Sequence, residues 1–250
     1  MTDFSYQLYS SRNFPPLADT LAMLAGLGYA QVEGYGGVYE DPEATAALLR
    51  ETGLTMPSGH VGLDMLEGDP AGTVAMARTL GMETVFCPHL AEAARPVDAA
   101  GWQAFAARLT EAGKPVRDAG MAFGWHNHDF EFRTLADGSV PMRILLEAAP
   151  DLLWEADIAW IARGGSDPFA WIAEFGDRLA AVHVKDIAPA GECADEGGWA
   201  DVGHGTLDWP ALMKAVKATP CRLFVMEHDN PADNARFAQR SMAAVRAMEA

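Results

Sequence analysis

The chain has 250 residues, half of them hydrophobic, and carries 35 acidic against 18 basic side chains for a formal charge of −17. That length can bury a large core, and α/β barrels commonly reach it as one domain. A surface of that sign repels any polyanion that must be held by phosphate neutralisation, which argues against a nucleic-acid enzyme while leaving room for a small phosphorylated substrate.

Three other classes drop out on pattern. No run of eighteen apolar residues is present to span a membrane as a helix. The opening MTDFSYQLYSSRNFPP has neither the basic nor the apolar region of a signal peptide. Cys87, Cys193 and Cys221 stand far apart without CxxC spacing, which argues against a disulfide framework or a thiolate zinc site. A reduced, cytoplasmic setting is expected.

In chain order, β-like runs occur at YQLY (6–9), QVEGY (31–35), LTMPSGHV (54–61), ETVFC (83–87), MAFGWHNH (121–128), LLWEAD (152–157), LAAVHVKD (179–186) and RLFVME (222–227). Between them lie segments of helical periodicity, such as Leu17, Leu21 and Leu24. Asp41-Pro42, Asp69-Pro70, Asp167-Pro168 and Asn230-Pro231 read as helix starts, where the Asx side chain caps and proline needs no N–H partner. Gly28, Gly53, Gly81, Gly120 and Gly176 read as helix ends. Eight strands alternating with helices predict an α/β fold, a single (β/α)8 TIM barrel over residues 1–250. An open doubly wound sheet is the alternative, but QLYSSRNFPP lacks its glycine fingerprint. The longest irregular piece, 187–207, follows the seventh strand.

A barrel keeps its chemistry at the C-terminal strand ends, and the ionisable residues fall there. Glu33, His60 and His89 end or follow strands two to four, His126 and His128 strand five, Glu155 and Asp157 strand six, His183 and Lys185 strand seven, and Glu227 with His228 strand eight. His204 lies in the loop after strand seven. None of the seven histidines falls in a predicted helix. His126 and His128, two apart in a strand, project to one face.

HNHDFEF, EADIAW with a following GG and DP, VHVKD, VGHGTLDW and VMEHD together resemble the xylose isomerase-like barrels known as sugar phosphate isomerase/epimerase, a superfamily that includes tagatose 3-epimerases, inosose dehydratases and AP endonucleases of the endonuclease IV type. The resemblance runs from YQLY to MEHD. It implies one divalent cation held from the fifth to eighth strands by Glu, Asp, His and Glu in chain order. The last three fall on Asp157, His183 and Glu227. Where the family has LENH this chain reads WHNH, so His126 takes the place of the first glutamate, with Glu131, water or substrate as alternative ligands. Imidazole suits manganese, cobalt, zinc or iron better than magnesium.

The activity so implied is proton abstraction next to the carbonyl of a keto sugar, giving isomerisation or epimerisation, or dehydration of a keto sugar or inosose-like cyclitol when a β-hydroxyl leaves. Glu227 is the expected base, with His60 or His126 as partner, Glu155 as a buried acid or orienting group, and Lys185 facing the developing oxyanion or pairing with Asp157 or Glu155. Glu33, His89, His128, Trp160 and His204 are expected to meet the substrate, and Trp125 and Trp199 either line a sugar face or pack. The expected partner is a small sugar, with no nucleic acid or membrane and with homo-oligomerisation left open. A non-catalytic sugar-binding barrel is the competing class, favoured by the missing glutamate.

Overall fold

The computed structural model describes residues 2–249. Eight parallel strands, β1 (Phe4–Gln7), β2 (Gln31–Gly34), β3 (Thr55–His60), β4 (Thr84–Cys87), β5 (Ala122–His126), β6 (Leu153–Asp157), β7 (Leu179–Val184) and β10 (Leu223–Met226), close into a barrel with β10 returning to β1. The remaining two, β8 (Asp186–Ile187) and β9 (Trp199–Ala200), form a separate antiparallel ribbon. The predicted TIM barrel is therefore the fold, and the ribbon lies inside the stretch expected to be irregular. The first strand sits two residues earlier than YQLY suggests, because Leu8–Ser11 turns into a 3-10 helix whose Ser11 Oγ meets Tyr6 Oη at 2.8 Å.

The helices are α1 (Leu17–Leu27), α2 (Pro42–Thr52), α3 (Leu63–Gly68), α4 (Pro70–Leu80), α5 (Ala99–Asp118), α6 (Pro141–Ala148), α7 (Ile158–Arg163), α8 (Pro168–Phe175), α9 (Trp209–Lys217) and α10 (Asn234–Glu249). Asp41, Asp69 and Asp167 cap α2, α4 and α8 with proline next in line, as expected. Asn230-Pro231 does not start a helix. Asp233 takes that role for α10, accepting from Arg236 N at 2.9 Å. Gly176 keeps φ −57° and passes straight into a 3-10 turn instead of ending α8 in the left-handed region.

Strand side chains alternate between helix layer and lumen. Outward residues make the apolar shell: Trp125 meets Phe105 of α5 edge to face at 5.4 Å, and Trp154 meets Trp171 of α8 at 6.2 Å. The lumen face is polar instead, carrying Gln7, Glu33, Ser58, His60, His126, Glu155, Asp157 and His183, all buried or nearly so. Register aligns them in pairs: Gln7 with Glu33, His126 with Glu155, and Asp157 with His183. Phe86 is fully buried in this region, and its ring lies so close to Gly124 that a β-carbon there would come within 2.7 Å of it and 2.8 Å of the Leu153 carbonyl.

Gly124→Ala should therefore be an over-packing substitution, destabilising the fold by about 1–3 kcal/mol in urea unfolding. An unchanged midpoint would show that the Phe86 ring has room to move.

Candidate metal centre

β5 ends at His126 and is followed by Asn127 and His128, and each of the three faces a different neighbour. Asn127 clamps the end of β6: its Oδ1 accepts from Asp157 N at 3.1 Å and Trp154 Nε1 at 2.8 Å, while its Nδ2 donates to Asp157 O at 3.2 Å. Asp157 is thereby fixed at the head of α7, where Oδ1 accepts from Trp160 N at 2.9 Å as the helix cap. Its second oxygen, Oδ2, has no hydrogen-bond partner and faces His183 Nδ1 at 3.8 Å. Neither His183 Nδ1 nor Glu227 Oε2 makes a hydrogen bond, although Glu227 Oε2 lies 2.7 Å from Lys185 Nζ as an ion pair. These three residues are buried, and their donor atoms lie within 4.8 Å of one another. Buried polar atoms are almost always satisfied. A carboxylate oxygen and an imidazole nitrogen without partners, beside a second carboxylate oxygen paired only with Lys185, form a donor set that fits a divalent cation.

A second cluster shares His183. It joins His60, His126, Glu155 and His183, again with donor atoms within 4.8 Å. His60 Nε2 stands 2.6 Å from Glu155 Oε2 and 3.3 Å from Glu33 Oε1, His126 Nδ1 3.2 Å from Glu155 Oε2, and His183 Nε2 2.8 Å from Glu33 Oε1 and 3.4 Å from Glu155 Oε1. Gln7 Nε2 and Ser58 Oγ both donate to Glu33. Burial and the adjacent Glu155 push the Glu33 carboxyl up, whereas three imidazoles hold Glu155 well below the usual range against its own burial. Burial likewise opposes a charge on His183 and His60, yet Glu155 and Glu33 raise both imidazoles above their ordinary value. His126 falls well below it, through burial and the neighbouring His183. The expected ligand set thus divides: His126 groups with His60, Glu155 and His183, while Asp157 and Glu227 form a second group with His183, whose Nδ1 faces Asp157 Oδ2.

Lys185 is fully buried, with Nζ 2.5 Å from Asp229 Oδ2, 2.7 Å from Glu227 Oε2 and 3.6 Å from Asp157 Oδ2. Burial opposes its charge, but these carboxylates raise its pKa well above the ordinary lysine value. Burial and Asp229 push Glu227 up to about 7, against the pull of Lys185. Trp199 completes the enclosure, with Lys185 Nζ 3.9 Å and Arg163 Cζ 3.1 Å from its ring centre. Asp186 holds the overlying loop by accepting from the backbone of Ile187, Gly203, Gly205 and Leu207. In HVKD, then, the histidine offers a ligand atom, the lysine balances charge and the aspartate ties the loop down.

A cavity of about 470 Å³ opens onto this centre, lined by Gln7, Tyr9, Tyr35, His60, His89, His126, His128, His183, Glu227 and Asp229 among others. Glu33 and Glu155 lie in the lumen among the imidazoles, and Trp160 packs against His128 and Trp199. His204 stands apart: it is exposed, in a groove with Pro210, Arg240 and Met248. Glu131 turns away from the lumen, accepting from Trp125 Nε1 and His128 N at 2.9 Å each. Asp229, Gln7, Tyr9 and Tyr35 escaped the sequence reading. Asp229 had a signal, its same-face spacing from Glu227 in MEHD.

The family model for the xylose isomerase-like TIM barrel matches residues 21–248, and the chain belongs to that family. No curated protein matches the sequence. Among solved structures, a sugar phosphate isomerase/epimerase from Parabacteroides distasonis superposes with a TM-score of 0.82 at 18% identity, over 98% of this chain and 93% of that one. A probable 3-DHS dehydratase from Bacillus anthracis gives 0.74 at 15%, over 98% and 99%. A 3-keto-D-glucoside 4-epimerase from E. coli gives 0.72 at 17%, over 100% and 99%. At these identities the likeness is one of fold.

Replacing Lys185 by methionine strips the cation from three carboxylates in a buried site. Metal-stripped Lys185→Met should lose about 3–5 kcal/mol of stability by urea unfolding at neutral pH, the scale of a broken buried ion pair. A loss under 1 kcal/mol would show that the carboxylates are relieved in another way.

Proposed function

We propose that the protein is a metal-dependent isomerase or epimerase that removes a proton from the carbon next to the carbonyl of a keto sugar. The observation that carries this reading is the buried cluster of Asp157, His183 and Glu227, with Asp157 Oδ2 and His183 Nδ1 lacking hydrogen-bond partners, beside a cavity of sugar size. A divalent cation bound there would supply Lewis-acid polarisation of the substrate's oxygens. The imidazole in the donor set favours manganese, cobalt, zinc or iron over magnesium.

The protein's own groups then divide the work. Glu227 lines the cavity beside the cation site, within reach of a bound substrate, which suits its carboxylate to take a proton and return it. His60 also lines the cavity, fixed by Glu155 at 2.6 Å, and serves as the second proton carrier. Lys185 positions Glu227 and Asp229 from behind rather than facing the cavity. His89 and His128 offer hydrogen bonds to hydroxyl groups, and Tyr9 and Tyr35 form an aromatic wall. The partner is a small sugar, with no role for nucleic acid or a membrane surface at a charge of −17.

Dehydration is the second reading, and one feature favours it. Glu155 and Glu33 keep His60 easier to protonate than a free histidine, which equips it to donate to a departing β-hydroxyl. The fold-level likeness to both an epimerase and a dehydratase supports keeping a common first step.

Solvent deuterium incorporation into keto sugars and inosose-like cyclitols, followed by NMR, tests that step. Glu227→Gln should slow incorporation by 10² or more, the range for loss of a general base. His60→Gln should spare the exchange and suppress turnover to product. Exchange at near the parent rate in Glu227→Gln with metal bound would place the base elsewhere.

A further inference from the structure

We infer that Arg163 is a positioning residue: from the end of α7 it latches the loop between β7 and β10, so that Trp199 stays closed over Lys185 and Lys185 holds Glu227 in a dry site. The inference rests on the preceding reading in giving Glu227 a proton to move.

Contacts on both sides of the guanidinium form the latch. Arg163 Nη2 donates to the carbonyl oxygens of Gly197 at 2.9 Å and Gly198 at 2.7 Å, and Cζ lies 3.1 Å from the centre of the Trp199 ring. Gly198 takes φ 72°, and a β-carbon there would stand 3.1 Å from that same nitrogen, so glycine leaves room for the guanidinium. The other backbone bonds of this stretch stay within the loop. Gly198 N donates to Cys193 O, Gly198 O also accepts from Ala188 N, and Trp199 pairs with Ile187 across the β8–β9 ribbon. Among the described residues, Arg163 alone ties residues 197–199 by hydrogen bonds to anything outside the loop. The helix it ends is capped at its head by Asp157, a residue of the candidate metal centre.

What the latch protects is an ion pair. Lys185 is fully buried, with the ring centres of Trp199 and Trp160 at 3.9 and 4.9 Å from Nζ. The same Nζ meets Asp229 at 2.5 Å and Glu227 at 2.7 Å. Attraction between such charges weakens several-fold once water raises the local dielectric. With the ring lifted, Lys185 loses its hold on Glu227, and a misplacement of about 1 Å costs roughly 10² in rate. Arg163, Trp199 and Lys185 do not line the cavity, so substrate binding itself is spared.

Two measurements test the inference. In the metal-stripped protein, nitrogen-edited NMR detects ammonium protons that exchange slowly with water; Lys114, Lys214 and Lys217 are exposed, so such a signal belongs to Lys185. It should be present in the parent chain and lost in Arg163→Met and in Trp199→Ala. The double variant should match either single one, because the two residues act in series. With manganese bound, kcat for deuterium incorporation into the ketohexose that the parent exchanges fastest should fall roughly 10²-fold in Arg163→Met at an unchanged KM. Arg163→Lys should recover part of both signals. An ammonium signal absent from the parent, or retained in Arg163→Met, overturns the latch. A lost signal with kcat unchanged overturns the positioning role. A parent that exchanges no keto sugar defeats the preceding reading instead, and the ammonium signal then decides the latch by itself. Should Trp199→Ala fail to fold, Arg163→Met, which alters a half-buried side chain, still decides.

Discussion

The constraint that organises the molecule is negative charge buried where water cannot solvate it. Glu33, Glu155 and Asp157 are fully buried and Glu227 nearly so, and all four side chains enter the same lumen. A carboxylate in such a place must be paired, hydrogen-bonded, protonated or bound to a cation. The surrounding structure supplies each remedy somewhere: Gln7 and Ser58 on Glu33, imidazoles on Glu155, the α7 backbone on Asp157 and Lys185 on Glu227. What remains without a partner after these includes Asp157 Oδ2 and His183 Nδ1, two of the atoms to which the cation is assigned.

The barrel makes such a concentration feasible because its stability comes from elsewhere. Tryptophans and phenylalanines on the outward strand faces pack against the helices, so the lumen face is released for polar groups. Strand register then sets which groups meet. Alignment of His126 with Glu155, and of Asp157 with His183, brings side chains far apart in sequence within a few ångströms. Asn127 and Asp186 fix the scaffold around them, the first at the end of β6 and the second beneath the loop that carries Trp199. Neither lines the cavity.

Much of this was legible in the sequence. Two-residue alternation and strand-end placement are local properties, so the barrel and the presence of Glu33, His60, His126, Glu155, Asp157, His183 and Glu227 at one rim followed directly. How these residues divide was not legible. Whether His126 joins Asp157 or Glu155 depends on strand stagger and side-chain direction inside a closed sheet, which no spacing encodes. His204 was misplaced for a related reason: a loop glycine run fixes that a segment is irregular, not which way it folds, and Asp186 draws this one so that the histidine faces solvent. Lys185 read as a rim group because it ends a strand, whereas its burial follows from Trp199 and Asp229, contributed by later segments.

Thermal unfolding of the metal-stripped protein at increasing manganese(II) tests the central claim most directly, since a cation that binds only the folded centre must stabilise it by mass action. The midpoint should rise steadily with manganese concentration at neutral pH and at constant ionic strength. A midpoint unmoved into the millimolar range would contradict the account and leave protons and Lys185 as the sole countercharge of the lumen.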